Sequence, residues 1–210
     1  MGVRLADEDA AEKLLANPPA STEQILHPEK YVGSEKDLPT SVALPNLASL
    51  LGGSWKEHQR SNVGEFSIRT LFETWREWGT ATSVAAGWDG DRYVYLENGN
   101  DYAMVWKTVW DTEKDASEFG DAFGRLVREK RFKKRLGSEP VTGTSWTLSS
   151  PVASANETSA SLASQNAPLF ARLLTKGNVV VYEITNSREA SLRLDSLEHD
   201  IIQLDNTASQ

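Results

Sequence analysis

The first residues to test for chemistry are the three histidines, His27, His58 and His199. No histidine has a second one at the close spacing that lets two imidazoles converge on zinc, and no HExxH motif occurs. Glu198-His199 reads as a surface pair on an amphipathic helix, and no metal site is expected. His27 stands before Pro28 at a helix end, where its ring is expected to bond a last-turn carbonyl. The chain has no cysteine, which excludes disulfides, thiolate zinc sites, Fe–S clusters and cysteine nucleophiles.

Oxygen ligands offer a second kind of chemistry. Asp89, Asp91, Asn98, Asn100 and Asp101 would suit calcium if adjacent loops brought them together. Their order fits no EF-hand loop, and hairpin turns select the same residue types. Nucleophile and phosphate motifs are missing: there is no G-x-S-x-G elbow, and Gly52-Gly53-Ser54 belongs to neither a P-loop nor a G-x-G-x-x-G turn. Neither a catalytic residue nor a cofactor is expected. The surface offers more. Trp88, Tyr93, Tyr95, Tyr102, Trp106 and Trp110 lie on expected strands, where core packing competes with an aromatic binding face. A basic run from Arg125 through Arg128 and Arg131 to Arg135 reads as the solvated end of a helix, or as a contact for an anionic partner or membrane surface. Trp88, Asp89, Asp91, Arg92, Tyr93, Arg128 and Arg131 are the candidate partner-contact residues.

These residues must be positioned by a chain of 210 residues, long enough for one large domain or two small ones. Its net charge of −8 speaks against a nucleic-acid footprint. No apolar stretch approaches the roughly 20 residues of a membrane span, and Met1–Ala10 is too polar for a signal peptide. A cytoplasmic location is expected, or an extracytoplasmic one if an export signal has been removed.

The first 79 residues read as helical and irregular. A helix over Asp7–Ala16 stops before Pro18-Pro19, and Ser21 with Gln24 forms a capping box closed by Pro28. Asn62 caps a helix carrying Phe66, Ile68, Leu71, Phe72, Trp75 and Trp78. Strands follow over Ala81–Trp88, Arg92–Glu97 and Tyr102–Trp110, separated by Asp89-Gly90-Asp91 and Asn98-Gly99-Asn100 turns. Thr112 caps the longest helix, with Ala116, Phe119, Ala122, Phe123, Leu126 and Val127 as its buried stripe. A second round brings a strand at Thr142–Leu148, a flexible Ser/Ala-rich loop at 149–165, and a hairpin around Lys176-Gly177-Asn178. A helix capped by Asn186 or Ser187 and a polar tail over 205–210 complete it. The expected fold is α+β: over residues 80–204, two β-β-β-α units build one antiparallel sheet with helices on one face. The segment 1–79 packs against it.

One stretch is denser than its surroundings, Pro18-Pro19-Ala20-Ser21-Thr22-Glu23-Gln24-Ile25-Leu26-His27-Pro28-Glu29-Lys30-Tyr31. It resembles a motif of bacterial zinc metallopeptidases of the gluzincin type, among them lipoprotein-like proteins. The likeness continues through Gly64-Glu65-Phe66, Ala85-Ala86-Gly87-Trp88-Asp89-Gly90-Asp91-Arg92-Tyr93, Val105-Trp106, Trp110-Asp111-Thr112, Asp115-Ala116, Glu118-Phe119 and Gly177-Asn178-Val179-Val180. It covers about residues 10 to 200. In that family the HExxH helix precedes the Pro-Pro segment, and here no position matches it, so no catalytic residue carries over. The resemblance implies a non-catalytic binding or assembly module with a protein partner. Its alternatives are the accessory half of a zinc peptidase and a structural subunit of an envelope or membrane-associated complex, where peripheral membrane association would follow.

Overall fold

The computed structural model describes residues 12, 15–32, 37–75, 79–128, 146–149, 169–203 and 207–208, with 146–149 and 207–208 given by backbone alone. Six strands form one antiparallel sheet in the order β2-β3-β4-β7-β6-β5. They are β2 (Lys56–Ser61), β3 (Trp88–Asn98), β4 (Asp101–Trp110), β5 (Trp146–Ser149), β6 (Phe170–Lys176) and β7 (Val179–Thr185). A separate short pair joins β1 (Thr40–Ser41) to β8 (Thr207–Ala208). The helices are α1 (Thr22–Leu26), α2 (Glu29–Val32), α3 (Leu47–Leu51), α4 (Glu65–Thr74), α5 (Ala81–Ala85), α6 (Glu113–Val127), α7 (Arg188–Ser196) and α8 (Glu198–Gln203).

Alternation along the central strands sends apolar side chains to both faces. Trp106, Trp110, Val180, Tyr182 and Ile184 point to one face, where α4, α5 and α6 supply Ile68, Phe72, Ala81, Phe119 and Phe123. Val94, Leu96, Val105, Val109, Val179 and Val181 point to the other, and meet Leu47 and Leu51 of α3, Ala190 and Leu194 of α7, and Ile201 and Ile202 of α8. The α+β class and the antiparallel sheet are as expected. The covering differs, because β4 and β7 are apolar on both sides and need helices on both.

The hairpins at Asn98↔Asp101 and Lys176↔Val179 fall where the Asn-Gly and Gly-Asn turns placed them. Thr112 caps α6, its hydroxyl accepting from the Asp115 backbone N–H at 3.2 Å. The stripe of α6 enters an aromatic cluster in which Phe119 stacks on Trp110 at 4.6 Å and Phe123 meets Tyr182 edge-on at 5.0 Å. Ser187 caps α7.

Four elements differ from the sequence reading. Residues 81–85 are a helix, because Ala81, Val84 and Ala85 bury one helical face against the first core. Asp89-Gly90-Asp91 is no turn; β3 runs through it with a bulge between Trp88 and Gly90. Gly90 allows that close approach, since a Cβ there would lie 2.2 Å from the Thr40 carbonyl oxygen. The polar segment Lys56–Ser61 is an edge strand, so part of the first 79 residues enters the sheet itself. Thr207 and Ala208, assigned to the tail, pair with Ser41 and Thr40. Glu12, Leu15 and Ala16 are helical. The rest of the Asp7–Ala16 helix, the loop over 150–165 and the basic run from 129 to 135 lie outside the described residues.

Candidate functional site

The dense Pro18–Tyr31 stretch folds into α1 and α2 and lies across the start of α4. Ser21 caps α1 by accepting from the Gln24 N–H at 3.3 Å, while Gln24 Oε1 reaches back to the Ala20 N–H at 2.8 Å. The capping box is therefore present, shifted by one residue on the return bond. The buried residues of α1 are Glu23 and Gln24, and α2 buries none. Polar bonds hold this strap where apolar contacts would ordinarily do so.

Those bonds converge on two centres. Lys30 Nζ lies 2.6 Å from Glu23, 2.9 Å from Asp37 and 3.1 Å from Asp111. Glu23 is 1% exposed, and burial pushes its carboxyl up to about 7 against the pull of Lys30. Burial likewise raises Asp111, again opposed by Lys30. Burial alone would lower Lys30, but its bonds to Glu23, Asp37 and Asp111 outweigh it and hold the ammonium charged. Oxygens of Glu23, Asp37 and Asp111 approach within 4.8 Å of one another, a spacing a cation could use. The Lys30 ammonium already occupies that position, so the cluster is an internal salt bridge.

The second centre is a pair between His27 Nε2 and Glu65 Oε1 at 2.9 Å. His27 thus reaches across to α4, and the expected bond to a last-turn carbonyl is made by its backbone N–H, which donates to the Glu23 carbonyl at 2.7 Å. Glu65 is 2% exposed and its Oε2 has no hydrogen bond among the described residues. Burial raises its carboxyl, opposed mainly by His27. Beside it, Thr22 Oγ1 accepts from the Phe66 N–H at 3.3 Å, and Gly64 leaves that hydroxyl room, since a Cβ would meet it at 2.8 Å. A cleft of about 280 Å³ opens here, lined in part by Pro19, Thr22, Ile25, Val63 and Trp88. Ile25 and Phe66 are 64% and 54% exposed.

The histidines do not converge. His58 pairs with Glu97 at 3.1 Å and His199 with Asp200 at 3.8 Å, each away from His27's partner. The calcium candidates separate as well: Asp89 and Asp91 sit at one end of β3 and Asn98 at the other. Seven residues of strand span roughly 23 Å.

The seven contact candidates scatter. Trp88 is 2% exposed and Asp91 4%, so both side chains lie in the interior, with Trp88 also bordering the cleft. The Asp91 carboxylate accepts from Val63 N–H (2.7 Å), Gly64 N–H (2.9 Å), Trp106 Nε1 (2.9 Å) and Trp88 Nε1 (3.2 Å). Burial raises its carboxyl, and those four bonds oppose the rise. This carboxylate does the work expected of an Asn62 cap, fixing the loop that enters α4. Asp89 accepts from the backbone N–H and hydroxyl of Thr40. Arg92 donates to the Val42 carbonyl at 3.5 Å, and Tyr93 packs against the first core. Arg128 ends α6 half-buried, and Arg131 lies outside the described residues.

Spacing gave no sign of one further centre. Arg172, 11% exposed in its side chain, bonds Glu183 at 3.0 and 3.1 Å, Asp195 at 2.6 Å and Glu198 at 3.0 Å. It borders a cleft of about 240 Å³ beside Phe170, Ser191 and Leu192. Only the alternation that sends Arg172 and Glu183 to the same face of β6 and β7 could have suggested it.

The crystal structure of the extracellular domain of PknH from Mycobacterium tuberculosis is similar over 78% of this chain and 93% of that one, at 10% identity and a TM-score of 0.43. No curated protein matches the chain. Residues 50–166, more than half of the chain, match the family described as Domain of unknown function (DUF8575), and the chain belongs to that family.

Proposed function

We propose that this chain is a non-catalytic protein-binding module. The observation that carries the reading is where its ionisable groups are used. Lys30, Asp91 and Arg172 each gather several internal partners, and those bonds tie one element to another. A catalytic group needs a face left open to substrate. The exposed apolar residues Ile25 and Phe66, beside the cleft lined by Pro19 and Val63, are the contact we assign to the partner. The likeness of the Pro18–Tyr31 stretch to segments of gluzincin-type peptidases supports a role beside such an enzyme, with the zinc chemistry on another chain.

The test pairs an activity measurement with a binding one. Purified protein should hold no stoichiometric zinc and should not hydrolyse casein. It should retain a partner from its native source, and the Ile25→Asp/Phe66→Asp variant should lose that partner while melting within a few degrees of the wild type. Stoichiometric zinc with proteolysis would overturn the reading, as would retention unchanged in the variant.

A further inference from the structure

The strap over residues 21–32 is unusual in how it is fastened. Its two helices bury only Glu23 and Gln24. Ile25 and Val32 stay exposed at 64% and 70%. Its bonds to the body include Lys30 to Asp111, His27 to Glu65, and Thr22 to the Phe66 N–H. The buried side chains of the strap are thus polar, and the stability of the closed state depends on charge.

The charges do not balance. One ammonium, Lys30, faces three carboxylates: Glu23 from α1, Asp37 from the segment after α2, and Asp111 from the end of β4. Asp89 adds a negative field at Asp111. On the neighbouring centre, Glu65 faces His27 with Lys30 and Arg69 nearby, and its second oxygen is unpartnered among the described residues. A buried cluster with surplus negative charge closes most readily when it takes up a proton.

We propose that the strap is a proton-linked latch: closure over the start of α4 takes up a proton at the Glu23–Asp37–Asp111 cluster, and loss of that proton opens the strap and uncovers Glu65. Glu23 is the group that holds it. It is the most buried of the three, and its carboxyl lies at about 7 when closed against 4.5 when solvated. The stabilisation of closure by this proton is then complete below the solvated value and is lost as pH rises through the closed one. Between pH 6 and 8 the closed state binds on average about half a proton more than the open state, which makes roughly a tenfold change in the equilibrium.

Amide hydrogen exchange, expressed as protection factors so that intrinsic rates cancel, reads this directly. The Phe66 N–H, bonded across the closure to the Thr22 hydroxyl, reports whether the strap is shut, and the amides of β4 report the body. The Phe66 protection factor should fall about tenfold from pH 6 to 8, while the β4 values hold. Glu23→Gln keeps the shape and removes the titration, so its strap protection should become flat with pH. Should that variant fail to fold, the Glu23 carboxyl carbon resonance of the wild type decides, and its midpoint should lie well above 4.5. A strap protection that is flat or rises with pH in the wild type overturns the latch. So does an unchanged slope in Glu23→Gln, or a Glu23 midpoint near the ordinary carboxylate value.

Discussion

Four donors on the Asp91 carboxylate explain why a charged group sits between two indoles. Each of Trp88 and Trp106 would otherwise bury an N–H without a partner, as would the backbone of Val63 and Gly64. The carboxylate satisfies all four, and in doing so fastens the entry to α4 onto β3. Replacing it with Asn takes away the charge and turns one oxygen into a donor that faces N–H groups. Asp91→Asn should lower stability by roughly 2–4 kcal/mol in urea unfolding, with the slope against denaturant unchanged. A change below 0.5 kcal/mol would show that the four bonds contribute little. This site was half legible. Asp89-Gly90-Asp91 is conspicuous in the sequence, but the same residue types serve a hairpin turn and a bulge. Only the strand partner, with Gly90 against the Thr40 carbonyl, distinguishes them. The Lys30 centre was not legible at all, since Asp111 lies 81 positions away.

Elements whose ends carry their own chemistry were readable, and elements defined by their neighbours were not. Thr112 and Ser187 announce α6 and α7 because a hydroxyl cap acts within three residues. The stripe of α6 is as regular as its burial. By contrast, β2 exposes most of its residues and so has no alternation to read. Its charged side chains and the bulge between Glu57 and Gln59 suit an edge that must not recruit another strand. Helix α5 is too short for a period, and its Thr and Val look like strand formers until packing against the first core is known. The cap on α6 gives a prediction at this scale. Thr112→Ala removes the acceptor for the Asp115 N–H and should cost about 1 kcal/mol, whereas Thr112→Ser should cost little. Thermal unfolding of the two variants beside the wild type would separate a cap from simple burial, because equal losses in both would rule the cap out.

For the whole molecule, the sheet covered on both faces supplies the apolar core, and charged groups tie the covering elements to its strands. The resulting pH dependence runs opposite to that of a protein stabilised by surface carboxylate pairs. Burial raises Glu23, Glu65, Asp91, Asp111 and Glu183 above their ordinary range. A raised carboxyl binds more protons folded than unfolded, so its stabilisation is complete below the unfolded value and fades as pH rises through the folded one. Glu57 has the opposite sign, lowered chiefly by its bond to Arg60, but it is a surface pair and weighs little. The charges of Lys30 and Arg172 are held on by their carboxylate partners and stay constant across this window. The melting temperature should therefore fall between pH 5.5 and 8, by several degrees, and Glu23→Gln should remove part of that fall. Calorimetry at matched ionic strength separates this from general charge repulsion, since added salt weakens long-range repulsion but leaves the burial of Glu23 unchanged. A melting temperature that rises across this window would mean that ion pairing, rather than burial, governs these carboxylates.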